Sequence, residues 1–236
     1  MGFTDYNLNA IEFKKLRTCV FDYDGVIIDS EYIHSEAKKI TLDYLKITYN
    51  HDILEKFKGY PDNAFFEYVK KYLVNGNPSI ESMVYLKNSL YKVLFKKIGL
   101  VEGVLDFINW SKNHFNYIAL VSSANKQDIN LGLEKFELAS CFNTIISGND
   151  TIKCKPNPEP YILMTQQLNI SPEEALVIED SPSGVLAAKN AGCPVFAITT
   201  SFSKEELFKA GADFIVNNFD EIKKTISNEQ FKLTQS

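Results

Sequence analysis

Pairs of polar residues follow several short apolar runs of this chain, and the first pair is the most suggestive of chemistry. Asp22 and Asp24 come directly after the apolar run 19–21 and precede Gly25. Alternate residues of a strand point the same way, so the two carboxylates would share a face where the strand ends. Open α/β sheets bind their ligands at the carboxyl ends of strands. An Asp-rich turn after a strand explains this pair equally well when it is taken alone.

Three further polar clusters extend the pattern. They are Ser122 and Ser123 after an apolar run, the basic stretch Lys153-Cys154-Lys155-Pro156, and Glu179 and Asp180 after another apolar run. Helix capping is an adequate explanation of Ser122 or Asp180 by itself. Capping does not explain why three strands of one predicted sheet end in Asp/Asp, Ser/Ser and Glu/Asp, with a lysine near them.

Four carboxylates beside one lysine would carry an excess of negative charge. At about 4 Å and an effective dielectric constant near 20, two like charges repel each other by about 4 kcal/mol. Either some of these acids stay protonated, or a divalent cation lies among them. Oxygen ligands with an open side suit Mg²⁺, which binds through one or two carboxylates and a phosphate oxygen. The pattern therefore predicts a hard cation and an anionic substrate.

The elements that must position these residues alternate along the chain. Strands are predicted at residues 17–21, 117–122, 144–147, 175–178, 194–198 and 213–216. Helical patterns separate most of them, which is typical of βαβ units and a parallel sheet. The predicted fold class is therefore α/β, with a parallel sheet flanked by helices.

Residues 30–100 interrupt this alternation, because they show helical periodicity and no convincing strand. An apolar stripe is predicted on one face of the first helix, formed by Ile33, Ala37, Ile40, Tyr44 and Ile47. We therefore expect two domains, an α/β core formed by residues 1–29 and 101–236 and an all-helical domain formed by residues 30–100.

Composition limits the class of protein. The 236 residues suffice for one large or two modest domains, and a net charge of −5 gives no basic patch for nucleic acid. The four cysteines are scattered, so we expect small buried residues in a reducing compartment rather than disulfides or a zinc site. No membrane-spanning run and no signal peptide is evident. We expect a soluble, cytoplasmic protein.

The order of these motifs resembles a known family. The stretch Asp22-Tyr23-Asp24-Gly25-Val26, then Ser122, Lys155-Pro156 and Glu179-Asp180, is similar to the four motifs of the haloacid dehalogenase-like (HAD) hydrolase superfamily. DYDGVIIDSE, KPNPEPY and VIEDSPSGV resemble its branch of β-phosphoglucomutase and of sugar-phosphate, phosphoglycolate and nucleotide phosphatases. The resemblance implies a Rossmann-like core with a helical C1-type cap after the first motif, where residues 30–100 lie.

The resemblance implies a role for each motif residue in phosphoryl transfer. Asp22 would be the nucleophile that forms an aspartyl-phosphate, and Asp24 would be the general acid and then the base. Ser122, Ser123 and Lys155 would bind the phosphoryl oxygens.

The same resemblance implies a magnesium site. Asp22, the backbone carbonyl of Asp24 and Asp180 would bind Mg²⁺ directly, and Glu179 would act through water. Lys153 is a rival for the role of Lys155, although the family pattern favours the lysine directly before proline.

Four further residues are expected near the leaving group. They are His34, Lys58, Gly59 and Asn125. His34 matches a histidine of the phosphoglucomutase-like members, although a histidine at a helical position is more often a bystander. Lys58 and Gly59 match the substrate loop of the cap.

Two departures from the family pattern favour a phosphatase. Asp62 stands where the mutase resemblance would require an arginine, and an aspartate would repel a second phosphate. Ala124 and Asn125 replace a serine-lysine pair. Dehalogenase members lack the second acid of the first motif, so Asp24 favours phosphoester chemistry.

The leading hypothesis is a Mg²⁺-dependent phosphatase that hydrolyses a small phosphomonoester such as a sugar phosphate, phosphoglycolate or a nucleotide. The alternatives are a phosphomutase of the β-phosphoglucomutase type and a phosphate-binding regulatory module without turnover. We expect a monomer whose partner is a small phosphorylated metabolite, with no nucleic acid and no membrane.

Overall fold

The computed structural model describes residues 13–57 and 62–234, with side chains described as far as residue 228. The chain divides into two compact units. The sheet unit comprises Met1–Ile28 and Leu100–Ser236, and the helical unit comprises Asp29–Gly99.

Strands and helices alternate through the sheet unit, and consecutive helices form most of the helical unit. The strands are β1 (Thr18–Phe21), β2 (Ile28–Asp29), β3 (Gly99–Leu100), β4 (Tyr117–Val121), β5 (Thr144–Ile146), β6 (Ala175–Glu179), β7 (Val195–Ile198) and β8 (Phe214–Val216). The helices are α1 (Glu31–Tyr44), α2 (Asp52–Lys56), α3 (Asp62–Tyr72), α4 (Ile80–Leu94), α5 (Val104–His114), α6 (Lys126–Lys135), α7 (Glu159–Leu168), α8 (Pro182–Ala191), α9 (Lys204–Lys209) and α10 (Phe219–Thr234). Among the described helices, none combines the length and apolar character needed to cross a membrane.

Six strands form one parallel sheet in the order β5-β4-β1-β6-β7-β8. The predicted α/β class and Rossmann-like parallel sheet are confirmed, and each predicted strand differs from the observed one by a single residue at one end. The two-residue strands β2 and β3 were not expected from the sequence. Every residue of β1 and β6 is buried, as required of central strands covered by helices on both faces.

The register of the sheet determines where the strands end. β1 lies between β4 and β6, and Phe21 at the end of β1 pairs with Leu120 of β4 and Ile178 of β6. Because all three strands run parallel, their carboxyl ends lie at the same edge of the sheet. The residues that follow these strands are therefore neighbours in space.

The helical unit has its own apolar core, formed by Leu42, Ile53, Phe65, Phe66, Val69 and Met83. The predicted apolar stripe is wrong at Tyr44, whereas Ile47, just after α1, packs against this core. Ile33 and Ala37 are buried, but the side chain of Tyr44 is 73% exposed. The buried face continues through Thr41, a further step of four residues, and the polar character of Thr41 hid this face from the hydrophobic pattern.

The prediction that all four cysteines are small buried residues holds for two of them. Cys19 and Cys193 are buried, whereas Cys141 is half-buried and Cys154 is exposed. Cys154 lies in the loop before Lys155, outside any helix or strand, and this position explains its exposure. All four are free thiols.

Candidate active site

The candidate site begins with Asp22, which directly follows β1. Its backbone N–H donates to the carbonyl oxygen of Ile178 at 3.0 Å, so β1 and β6 stay paired to the strand ends. On the other side of β1, the backbone N–H of Ser122 donates to Ile146 at 2.9 Å. Asp22, Ser122 and Asp180 are all buried at this edge. The sheet therefore gathers three of the predicted polar clusters.

Lys155 connects these clusters. Its Nζ donates to Asp22 Oδ1 at 2.5 Å, to Glu179 Oε1 at 2.6 Å and to the carbonyl oxygen of Val121 at 2.9 Å. The side chain of Lys155 is only 4% exposed. Lys153 is exposed, and its backbone N–H donates to Glu159. Lys155 is thus the lysine of the two that reaches Asp22.

Hydrogen bonds occupy both carboxylate oxygens of Glu179. Oε1 accepts from Lys155 and from the hydroxyl of Tyr161, the latter at 2.9 Å. Oε2 accepts from the N–H of Asp180 at 3.1 Å, and from the N–H and Oγ of Ser181 at 3.2 and 3.1 Å. A fully buried carboxylate with five donors is suited to hold its neighbours in place.

The acidic side chains fit a hard divalent cation. One carboxylate oxygen each from Asp22, Glu179 and Asp180 lies within 4.8 Å of the others, and all three residues are buried. The donor set consists of oxygen atoms, as Mg²⁺ prefers. Hydrogen bonds already occupy both carboxylate oxygens of Glu179. Asp22 and Asp180 are therefore better placed as direct ligands of the metal.

The electrostatics of the site also favour a cation. Burial raises the pKa of Asp22 from 3.8 to about 7; Lys155 lowers this pKa, while Glu179 and Asp24 raise it. Burial, Asp22 and Glu179 raise the pKa of Asp180 well above 3.8. Without a cation, the site therefore favours protonated acids. A bound cation would stabilise the charged carboxylates.

The pKa of Lys155 is also raised, which for an amine favours the charged form. Burial opposes the charged ammonium, but Asp22 and Glu179 outweigh burial and raise the pKa of Lys155 well above 10.5. Lys155 is therefore a permanent positive charge inside the site.

The loop after β1 packs tightly beside Asp180. Gly25 has φ +73°, and a Cβ at this position would lie 1.8 Å from Asp180 Oδ2. The hydroxyl of Thr200 donates to the carbonyl oxygen of Gly25 at 2.6 Å, and that of Tyr23 donates to the carbonyl oxygen of Asp128 at 3.1 Å. Asp24, between Tyr23 and Gly25, is half-buried.

The residues after β4 have a local structural role. Ser122 Oγ accepts from the N–H of Ala124 at 2.9 Å, while Ser123 is exposed. Asn125 caps α6, because its Oδ1 accepts from the N–H of Asp128 at 2.9 Å. Any contact of Asn125 with substrate remains a prediction.

His34 and Asp62 lie in the helical unit, within one polar cluster. Lys87 Nζ lies 2.6 Å from Asp62 Oδ2 and 2.8 Å from His34 Nδ1. Burial, followed by Lys87 and Lys38, lowers the pKa of His34 well below 6.5, so its ring is neutral. Its ring also stacks on Tyr91 with centroids 4.4 Å apart.

Asp62 is not an isolated negative charge. It pairs with Lys87 and also lies 3.8 Å from Lys38, and both lysines are buried. The sequence position of Asp62 predicts that it would repel a second phosphate group of a substrate. The two lysines reduce that repulsion. Lys58 and Gly59 lie outside the described residues.

Two residues near the site were not singled out from the sequence. Tyr161 donates to Glu179 from α7, six residues after Lys155, and no spacing rule pointed to it. Ser201 makes a side-chain hydrogen bond to Asp180. Ser201 follows β7, so the rule that polar residues gather after parallel strands could have found it.

Comparisons with known proteins show which family and fold this chain resembles. The family model of haloacid dehalogenase-like hydrolases matches residues 19–198. A phosphorylated carbohydrates phosphatase from Thermotoga maritima is 28% identical over 209 residues, which cover 85% of this chain and 94% of that protein. The beta-phosphoglucomutase of Bacillus subtilis is 26% identical over 228 residues, covering 92% and 96%.

A solved structure shares the fold. A haloacid dehalogenase-like protein of unknown function from Agrobacterium tumefaciens has a TM-score of 0.79 at 20% identity, over 91% of this chain and 99% of that one. The family match confirms the recognition made from the four motifs, and this likeness confirms the fold.

Proposed function

The chain belongs to the haloacid dehalogenase-like hydrolases, and from that premise we propose that it is a Mg²⁺-dependent phosphatase of a small phosphomonoester. The observation that carries the proposal is the buried group of Asp22, Lys155, Glu179 and Asp180 at one edge of the sheet. It combines a carboxylate nucleophile, a permanent cation and oxygen ligands for a metal.

The metal would be held by Asp22, Asp180 and the carbonyl oxygen of Asp24. When bound, Mg²⁺ would neutralise these carboxylates and stabilise negative charge on the phosphoryl oxygens. With that charge neutralised, Asp22 would be ionised at neutral pH despite its burial.

In the first step, a carboxylate oxygen of Asp22 attacks phosphorus while the bond between phosphorus and the leaving oxygen breaks. Asp24 gives its proton to that leaving oxygen, which departs as an alcohol. Lys155 and Ser122 hold the phosphoryl oxygens, and the buried ammonium of Lys155 stabilises their developing charge. The product is an aspartyl-phosphate on Asp22.

In the second step, water attacks the aspartyl-phosphate. Asp24, now ionised, takes a proton from this water, and the bond between phosphorus and Asp22 breaks. Inorganic phosphate leaves, Asp22 is a carboxylate again and Asp24 is again protonated. The two steps balance without any redox partner.

We infer that the substrate is a phosphorylated small molecule. The relative from Thermotoga maritima is named for phosphorylated carbohydrates, which makes a sugar phosphate the first candidate. The helical unit, which follows the first motif in the sequence as the family's cap would, would select the leaving group and exclude water.

The second candidate function is a phosphomutase, because the Bacillus subtilis relative is a beta-phosphoglucomutase. A mutase returns the phosphoryl group to a sugar, whereas a phosphatase gives it to water. The two functions differ in their products: phosphate release supports hydrolysis, and isomer interconversion without phosphate release supports a mutase.

The experiment is a phosphate-release screen over sugar phosphates, phosphoglycolate and nucleotides, with Mg²⁺ and with a chelator. Asp22→Asn and Asp24→Asn should each reduce kcat by about a thousandfold or more. Asp106→Asn, at an exposed position of α5, is the matched control and should keep wild-type turnover. If wild type releases phosphate no faster than Asp22→Asn on every substrate, the phosphatase proposal fails. Isomer interconversion of a sugar phosphate would then identify a mutase, and its absence would indicate a binding module.

A further inference from the structure

Tyr161 is a buried residue beside the candidate site, and the two proposed steps do not use it. It lies in the first turn of α7 and its side chain has no exposed surface. Its hydroxyl donates to Glu179 Oε1 at 2.9 Å, and Lys155 Nζ lies 5.0 Å from the centroid of its ring. Tyr161 thus contacts both members of the Lys155–Glu179 pair.

The carboxylate of Glu179 is held on every side. Its Oε2 is bound by the backbone and hydroxyl of Ser181 at the start of α8. The backbone of Gly184 approaches so closely that a Cβ there would lie 1.8–2.2 Å from the carboxylate. The other oxygen, Oε1, accepts from Lys155 Nζ at 2.6 Å and from the Tyr161 hydroxyl at 2.9 Å.

We infer that Tyr161 is a positioning residue, which aligns the ammonium of Lys155 with the phosphoryl group by fixing the Glu179 oxygen that Lys155 is bound to. This inference rests on the proposed function. Tyr161 acts on Lys155 through Glu179 and through the face of its own ring, and it does not contact the reacting atoms.

The phenol has two separate effects on Lys155. Its O–H takes up part of the negative charge of Oε1, so the ammonium is shared between Glu179 and Asp22 rather than drawn to Glu179 alone. The face of the ring attracts the ammonium as well, which limits its movement. Removing only the hydroxyl keeps the second effect and abolishes the first.

Loss of the hydroxyl should affect the transition state more than substrate binding. Lys155 remains buried and charged in Tyr161→Phe, so it still attracts a ground-state phosphate. Its alignment with the developing charge is relaxed, and such alignment contributes to kcat. We expect kcat to fall about tenfold, with KM changed by less than about twofold.

The test compares Tyr161→Phe with Thr165→Val in the purified protein. Thr165 also lies in α7, and its buried hydroxyl donates to the carbonyl oxygen of Ile162 at 2.8 Å, away from Glu179. Thr165→Val controls for loss of a buried hydroxyl and should keep the wild-type kcat. Thermal unfolding with Mg²⁺ and orthovanadate provides a second readout: Tyr161→Phe should bind this transition-state analogue about tenfold more weakly, with inorganic phosphate bound as before.

A double-mutant cycle with Glu179→Gln tests whether Tyr161 acts through Glu179. The loss caused by Tyr161→Phe should be much smaller in the Glu179→Gln background, because residues that act through one another are not additive. Additive losses would overturn the inference. So would a Tyr161→Phe variant with the same kcat and vanadate affinity as an active wild type. A wild type without turnover would overturn the proposed function first, and the positioning role with it.

Discussion

Gly25→Ala should disable the site by displacing Asp180. Gly25 has φ +73°, and the added Cβ would lie 1.8 Å from Asp180 Oδ2, 2.6 Å from Asp180 Cγ and 2.6 Å from Ser201 Oγ. Real Cβ atoms essentially never come closer than 3.0 Å to such atoms, so the Oδ2 contact must open by 3.0 − 1.8, or about 1.2 Å. Asp180 is buried and cannot move into solvent.

The expected cost has two parts. The positive φ destabilises alanine by about 1–2 kcal/mol in free energy of unfolding. A shift of about 1 Å in a catalytic group lowers the rate by about a hundredfold. The second part is specific to Gly25, because it depends on the position of Asp180.

Gly211→Ala separates these two parts. Gly211 also has a positive φ, +95°, but a Cβ there would meet only Lys189 Cγ at 3.8 Å, an ordinary contact. In urea unfolding, both variants should lose the stability that the positive φ costs, and Gly25→Ala should lose more because its Cβ overlaps buried atoms. Only Gly25→Ala should lose about a hundredfold in kcat/KM for p-nitrophenyl phosphate, together with weaker Mg²⁺ stabilisation in thermal unfolding. If Gly25→Ala keeps kcat/KM within about threefold of Gly211→Ala, our placement of Asp180 in the site is wrong.

Three other perturbations follow from the charges. Lys155→Met should lower kcat, measured as phosphate release, by about 10²–10³-fold. Lys153→Met should lower it by less than about twofold. Equal losses in the two variants would contradict the assignment of Lys155. In metal-free protein, Asp22 keeps its proton up to about pH 7, whereas the unfolded chain loses it near 3.8. Between these values the folded state holds more protons, so Asp22 makes stability fall as pH rises, by up to about 1.4 kcal/mol per pH unit. The thermal stabilisation by Mg²⁺ should therefore grow from pH 5 to pH 8, and a pH-independent stabilisation would refute this reasoning. Asp62→Asn removes the negative charge that pairs with Lys38 and Lys87, so it should lower the free energy of unfolding by about 2 kcal/mol. The control Glu55→Gln, at an exposed position, should change it by less than about 0.5 kcal/mol. Equal urea midpoints would contradict the pairing of Asp62 with the two lysines.

The strand ends illustrate what could be predicted from local sequence. Asp22, Ser122 and Glu179 each come within one residue of the end of an apolar run, and those runs form strands whose bounds were predicted to within one residue. Parallel strands have their carboxyl ends at one edge, so a local signal was sufficient to place these residues near one another. The family could be recognised for the same reason, since its motifs lie at those ends.

Other features depended on contacts between distant parts of the chain. The choice of Lys155 over Lys153 required the loop path that brings Nζ to Asp22, 133 residues away in sequence. The pairing of Asp62 with Lys38 and Lys87 joins three helices of the helical unit. No pattern of residue types encodes such distances.

The sequence by itself determined the α/β class, the family and the set of acids and lysine available for phosphoryl transfer, because these depend on residue types and on local periodicity. The tertiary structure decided which oxygens of Glu179 are occupied, that Tyr161 contributes to this, and that the pKa of Asp22 rises to about 7. Burial and interatomic distance determine the strength of a charge interaction, and both are properties of the folded chain.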